Sequence, residues 1–224
     1  MSETQYYIRK PEKCDYGRIL EFIEQDFLPR ECLSVVSGRY DTSITGAQDT
    51  NSSKSDDRFL SWLEDGVSLI ALDKKDETLA GIAVNFVAKK SDHEIEEDED
   101  VVKMPRYLSN ILKFIKELEE GHSPFEELGV EQGMDLRFLG VKEKYAGQGI
   151  ARKLTEATIE LAKELKLPFV QSIPTSPATI HLFESLGFKT KSEIKCKGYL
   201  SNDGSPCFPL AGETDRSRFV VKVL

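Results

Sequence analysis

Residues 136–165 read LRFLGVKEKYAGQGIARKLTEATIELAKEL, and three patterns follow one another along them. Leu136, Phe138 and Val141 make a strand-like apolar run, while Ile150, Leu154, Ala157, Leu161 and Leu165 recur at the spacing of one helix face. Between them stands Ala146-Gly147-Gln148-Gly149-Ile150-Ala151. Small residues there let backbone N–H groups come close to an anion, and the start of the following helix adds partial positive charge. Lys142, Lys144, Arg152 and Lys153 surround the turn and Glu143 alone opposes them, so the simplest ligand is a phosphate or pyrophosphate. A plain strand-to-helix turn that happens to carry glycines is the alternative left open. A Walker loop is set aside because Ala151-Arg152-Lys153 stands where Gly-Lys-Ser/Thr is needed, and a dinucleotide fingerprint because Arg152 takes the third glycine position.

The string AGQGIA at 146–151 closely resembles the pyrophosphate loop of the GNAT acetyltransferase superfamily, Q/R-x-x-G-x-G/A. Gly149 and Ala151 fill the two small positions, and Ala146 replaces the usual Gln or Arg. Downstream, the expected strand Phe169 to Ser172, a helix from Ser176, and the F-E-x-L-G-F pattern at 183–188 resemble the same superfamily. The resemblance implies an α/β (α+β) GNAT fold over one domain, 1–224: a mixed, mostly antiparallel sheet of about seven strands, splayed in the middle, with helices on both faces. It also implies acetyl-CoA as co-substrate, held by the backbone of Leu139, Gly140 and Val141 along its pantetheine arm and by Ala146, Gly147, Gln148, Gly149, Ile150 and Ala151 at its pyrophosphate.

The flanking chain fits that frame. Tyr6 to Arg9 reads as a first strand, and Asp15 is placed to cap a helix through Phe27 with Ile19, Leu20, Ile23 and Phe27 on one face. Ser34 to Asp57 has loop composition, and a short helix around Arg58 to Glu64 follows. Val67 to Leu72 and Leu79 to Ala88 pair as a hairpin, Glu94 to Asp100 is an acidic surface run, and Tyr107 to Leu118 is a packed helix stopped at Gly121. Ile194 to Leu200 and Phe219 to Val223 read as the closing strands.

Composition narrows the partners. The net charge of −9 argues against nucleic acid and anionic membranes and is compatible with a cationic small molecule. No apolar run approaches the ~18 residues of a membrane span, and MSETQYYIRK lacks the apolar core of a signal peptide. Cys14, Cys32, Cys196 and Cys207 show no metal-ligand spacing, so reduced thiols in the cytoplasm and no metal are expected. Oligomeric state is not legible.

Acetyl transfer to an amine requires a proton acceptor, because an alkylammonium has no lone pair, and a group to stabilise developing oxyanion charge. Phe27 to Leu33, FLPRECL, resembles the first-helix exit of the insect-type arylalkylamine N-acetyltransferases, which carries Glu-Pro-Leu with the glutamate as general base. Glu31 and Leu33 match and Cys32 replaces the proline; desolvation in an amine channel would suit Glu31 to accept a proton. The plain alternative is a surface glutamate at a helix end. That family also carries two serines four residues apart; counting back from Leu186-Gly187-Phe188 puts Thr175 and Thr179 there, and the plain alternative is that they start and pack a helix. The expected reaction is direct transfer to an arylalkylamine in a ternary complex. A polyamine acceptor, a non-catalytic acetyl-CoA-binding module, a peptide acetyltransferase and an acyl-enzyme through Cys32 are the rivals.

Overall fold

The computed structural model describes residues 5–41, 43, 59–93 and 105–224. The acidic run at 94–100 and most of the expected loop at 34–57 lie outside them. In chain order the elements are β1 (Tyr6–Arg9), α1 (Tyr16–Phe22), α2 (Cys32–Val36), α3 (59–64), β2 (Leu69–Asp73), β3 (Leu79–Lys89), α4 (Arg106–Glu119), α5 (Pro124–Leu128), β4 (Gln132–Val141), α6 (Ile150–Glu164), β5 (Phe169–Ser172), α7 (Pro177–Ser185), β6 (Lys189–Lys195) and β7 (Arg216–Val223). The strands form one seven-stranded sheet in the order β1-β2-β3-β4-β5-β7-β6, with helices on both faces. The GNAT architecture expected from the turn and its flanks is therefore the one observed.

The sheet is two antiparallel wings with a parallel seam between them. β4 and β5 meet in only two residue pairs, Met134↔Val170 and Asp135↔Gln171. Beyond them the strands part, and Ser172 Oγ bridges to Leu136 O at 2.7 Å where they do. A bulge sits at the same place: Val84 pairs with Phe138 but Asn85 pairs with Leu136, so Arg137 is the extra residue on β4. Such an insertion bends a strand and re-aims a side chain. Arg137 and Phe138 consequently both face the side covered by α1 and α3, while Leu136, Leu139 and Val141 pack toward α6.

Each face has its own core. α6 lays Ile150, Leu154, Ile159 and Leu161 on one side, with Phe183 of α7. On the other, Ile19, Phe22 and Ile23 cover β2 and β3, and Phe114, Leu118 and Phe125 cover β5 and β7. Gly140 is where α1 comes closest: a Cβ there would sit 2.9 Å from both the Phe22 and Phe27 rings.

Four expectations need correction. Asp15 does not cap α1; its buried carboxylate accepts from the Glu12 N–H and pairs with Arg9 and Arg18 instead. The helix it precedes changes pitch into a π-turn over Ile23–Phe27. Residues 34–36 belong to α2 rather than to a loop. The sixth strand is Lys189–Lys195, not Ile194 to Leu200, because KTKSEIK is an edge strand with little to bury and so lacks the apolar alternation that marks an inner one. The chain past Lys195 turns instead, held by Tyr199 N–H on Cys196 O at 3.2 Å.

Candidate active site

Glu31 sits where the first helix lets go. Leu28 N–H closes the π-turn on Ile23 O at 2.8 Å, the Glu31 N–H follows on Phe27 O at 2.9 Å, and the Glu31 backbone is extended (φ −69, ψ 129). From there its carboxylate caps α2, with Oε1 accepting from Leu33 N–H at 3.0 Å and Oε2 from Ser34 N–H at 2.7 Å. A third donor comes from the chain just beyond β5: Thr175 Oγ1 donates to Oε1 at 2.7 Å, joining residues 144 apart in sequence. A carboxylate offers roughly four lone-pair sites. Three are engaged, so an acceptor position remains open on a half-buried group.

Thr175 precedes the α7 cap. Pro174 O is held by Arg218 N–H at 3.2 Å, and Ser176 caps the helix by accepting from Thr179 N–H at 3.2 Å. Thr179 therefore lies one turn along, its hydroxyl 2.8 Å from Ser176 Oγ. The structure brings Glu31 and Thr175 together and gives the Thr179 hydroxyl to the helix cap. Cys32, beside Glu31, is a neutral thiol: burial, then the nearby Asp215 and Glu31 carboxylates, pushes it up to about 12. A thiol so held has almost no thiolate at neutral pH, which removes the basis for an acyl-enzyme there. His181 is exposed on α7.

The split presents main chain on its other wall. Lys142 N–H donates to Ala80 O at 2.8 Å, and antiparallel pairing alternates, so Gly140 also turns its N–H and C=O to β3. The N–H and C=O of Leu139 and Val141 then point into the opening. Val141 O accordingly accepts from outside the sheet, from Arg30 Nη2 at 3.1 Å. At the mouth, Gly147 (φ 74) and Gly149 (φ 76) take the left-handed conformation, and a Cβ on either would meet nothing within 4 Å. Lys153 N–H on Gly149 O, 3.0 Å, opens the α6 ladder and leaves the N–H groups ahead of it directed outward. Lys144 and Lys153 are exposed beside this turn. Open backbone donors, a fifteen-residue helix behind them and flanking ammonium groups suit a diphosphate.

A feature the sequence reading missed lies on the α1 side. Phe27, Phe138, Phe59, Trp62 and Phe86 form a continuous string, with centroids 5.0 Å (27–138), 5.5 Å (138–59), 5.7 Å (59–62) and 5.5 Å (62–86) apart. It begins one helical turn before Glu31. Arg137, the bulge residue, covers its far end, with its guanidinium 5.7 Å from the Trp62 ring and 5.3 Å from Phe86 and held by Asp135 Oδ2 at 3.1 Å. These rings come from four separate elements, so no local spacing could have grouped them.

A split sheet with an anion-suited turn at its mouth is the architecture that the resemblance to acetyl-group transferases led one to expect. The chain belongs to the acetyltransferase (GNAT) family, whose sequence profile matches residues 39–188. It is an acetyltransferase, and the family uses acetyl-CoA. Solved structures similar to it over nearly the whole chain include arylalkylamine N-acetyltransferase 2 from Aedes aegypti (TM-score 0.83, 23% identity, covering 97% of this chain and 98% of that one). The Drosophila melanogaster polyamine N-acetyltransferase that forms N-acetylagmatine is also similar (0.80, 17%, 98% and 100%). So is the C-terminal condensation domain of Ebony in complex with β-alanyl-dopamine (0.77, 18%, 99% and 100%). No curated protein sequence matches the chain significantly. Among the described residues no helix is long and apolar enough to cross a membrane and no cluster of potential metal ligands occurs.

Proposed function

We propose that the protein transfers the acetyl group of acetyl-CoA directly to the primary amine of an arylalkylamine, a tryptamine-, tyramine- or catecholamine-like compound, with Glu31 as proton acceptor. The observation that carries this is the Glu31–Thr175 hydrogen bond, 2.7 Å, which joins the exit of the first helix, one turn past Phe27 of the aromatic string, to the chain just beyond β5. Glu31 lies outside the segment matched by the family profile, so its role rests on geometry and on its resemblance to the Glu-x-Leu exit.

In this reading acetyl-CoA, when bound, supplies the activated thioester. Leu139 and Val141 offer the backbone groups that orient its arm, with Gly140 bare enough to let α1 close over the strand. The N–H groups from Gly147 to Ala151 hold its diphosphate, while the Ala146 N–H is spent on Glu143 O at 2.9 Å. The open lone pair of Glu31 takes the proton of the substrate ammonium, directly or through one water. Thr175 fixes the carboxylate by donating to Oε1, and once Glu31 has taken the amine proton the hydroxyl accepts it and passes its own to the leaving thiolate. Thr179 is a relay only if its hydroxyl leaves Ser176. The aromatic string receives the ring of the acceptor, since stacked and edge-on aromatic contacts add about 0.5–1.5 kcal/mol each. No charge change at Cys32 is needed.

A polyamine is the second reading, favoured by the net charge of −9 and by the fold-level similarity to the polyamine enzyme. The aromatic string weighs for the aryl acceptor, because it offers a planar ring edge-on and stacked contacts that a polyamine chain cannot return. Thiol release with tryptamine, tyramine, agmatine, spermidine and a lysine peptide, assayed side by side, tests the choice. The expected order puts the aryl amines at least tenfold ahead in kcat/KM. Agmatine or the peptide leading would reject the arylalkylamine assignment, and no turnover with any amine would favour a binding module.

A further inference from the structure

A cavity of about 380 Å³ opens under the C-terminal end of α4, between that helix, α5 and the sheet, and none of its lining residues is among those assigned above to acetyl transfer. A single water occupies about 30 Å³ of liquid, and small-molecule pockets begin near 300 Å³. Phe125 and Phe219 form apolar walls. The floor is polar: Gln171, 1% exposed, lines it and donates Nε2 to Asp135 Oδ2 at 3.0 Å, but its Oε1 is buried without a hydrogen-bond partner. A buried carbonyl left in that state costs roughly 1–3 kcal/mol, so the site is built to receive a donor. Glu119 faces the same space.

We propose that this cavity is an accessory binding site for a small aryl ammonium ion, with Gln171 Oε1 and the Glu119 carboxylate accepting its N–H groups and Phe125 and Phe219 enclosing its ring. An ammonium offers three donors and a charge to two acceptors, a match that a neutral hydroxyl makes less well. Burial pushes the Glu119 carboxyl up to about 7, offset in part by Arg137 and reinforced by Asp135, and a bound cation would relieve that cost. Of the basic residues on the wall, Lys113 turns away, placing Nζ 2.6 Å from Asn202 Oδ1. Lys116 and His122 remain, with Glu117 and Glu120 opposing them. Gln171 and Thr175 are four residues apart, which limits their separation to about 14 Å along the chain. The site is thus a neighbour of the proposed acceptor cleft, and it does not depend on the acceptor assignment.

Calorimetry with 2-phenylethylamine, in the absence of acetyl-CoA, tests the proposal on the full chain. The expected result is a binding event that Glu119→Gln weakens at least tenfold, that Glu31→Gln leaves intact, and that 2-phenylethanol fails to reproduce at tenfold higher concentration. Glu119→Gln is close to isosteric, and an unchanged melting curve at pH 5 verifies its fold; the alcohol comparison needs no variant at all. Binding of equal strength in the wild type and Glu119→Gln, binding lost in Glu31→Gln alone, equal binding of the alcohol, or no binding would each overturn the assignment.

Discussion

Glu31 is at once the cap of α2 and the proposed proton acceptor, and substitution separates the two. Glu31→Ala loses the cap, expected to cost about 0.5–2 kcal/mol, together with turnover. Glu31→Gln keeps an oxygen for Leu33 or Ser34 N–H but cannot take a proton, so kcat should fall about 10²–10⁴-fold with little change in melting temperature. Full kcat in Glu31→Gln from pH 6 to 9 would refute the assignment. Two other carboxyls set opposite pH trends. For Asp15, burial alone would raise the pKa, but the Arg9 side chain, the Glu12 N–H and Arg18 outweigh it and hold it at about 2. Its stabilisation is complete above the ordinary carboxylate range and is lost as pH falls from about 4 to about 2, so Asp15→Asn should flatten the acid limb of a denaturation–pH profile. Glu119, raised to about 7, binds protons more tightly folded than unfolded. Stability therefore declines as pH rises from about 4.5 through 7, and Glu119→Gln should gain on the wild type at pH 8 relative to pH 5. The sequence put Glu31 forward through its resemblance to a Glu-Pro-Leu exit, and Thr175 by counting back from Leu186-Gly187-Phe188. Their contact was not legible there, because nothing local encodes a bond across 144 residues. Arg137 escaped notice because only the bulge, a property of the pairing with β3, turns it beside Phe138.

Among the elements, β4 carries the most consequence. Leu139 and Val141 sit in an inner strand, yet their amides face a gap in the sheet. They should exchange with solvent deuterium far faster than the amide of Gly140, whose N–H is turned to β3, and acetyl-CoA should protect them. Equal protection at 139, 140 and 141 without ligand would contradict the parity argument. Gly140→Ala pushes a methyl to 2.9 Å from the Phe22 and Phe27 rings, an overpacking worth about 1–3 kcal/mol, measurable by urea denaturation. Strongly periodic or fully buried elements were readable in advance: α6 was expected through Leu165 and runs Ile150–Glu164, and β5 matches Phe169–Ser172. Weakly periodic ones were not. α5, Pro124–Leu128, spans barely more than a helical turn and cannot display a period, though Ser123 as its cap and Gly129 (φ 66) at its end were signals present in the chain.

At the scale of the molecule, two wings share a seam of two residue pairs, and the proposed cofactor path runs along the gap beyond it. A ligand lining that gap binds the folded chain alone. Acetyl-CoA at a hundred times its dissociation constant should add about 2.7 kcal/mol, or roughly 5–10 °C in melting temperature for a chain of this size. The turn that would receive the diphosphate is locally basic on a chain of net charge −9, so the shift should shrink as salt rises from 50 to 500 mM. A salt-independent shift would place the anion elsewhere. The split itself was anticipated from family resemblance rather than from the residues, since no pattern along one strand announces that its neighbour will diverge. The outer border at β6 has a further bearing. Lys189, Lys191, Glu193 and Lys195 line a seven-residue margin strand, and Lys191 and Glu193 are already pledged to Glu127, Arg216 and Arg218. Another chain docking there would have to strip water from ammonium groups and break those pairs, so the sheet resists growing sideways into fibrils from this rim.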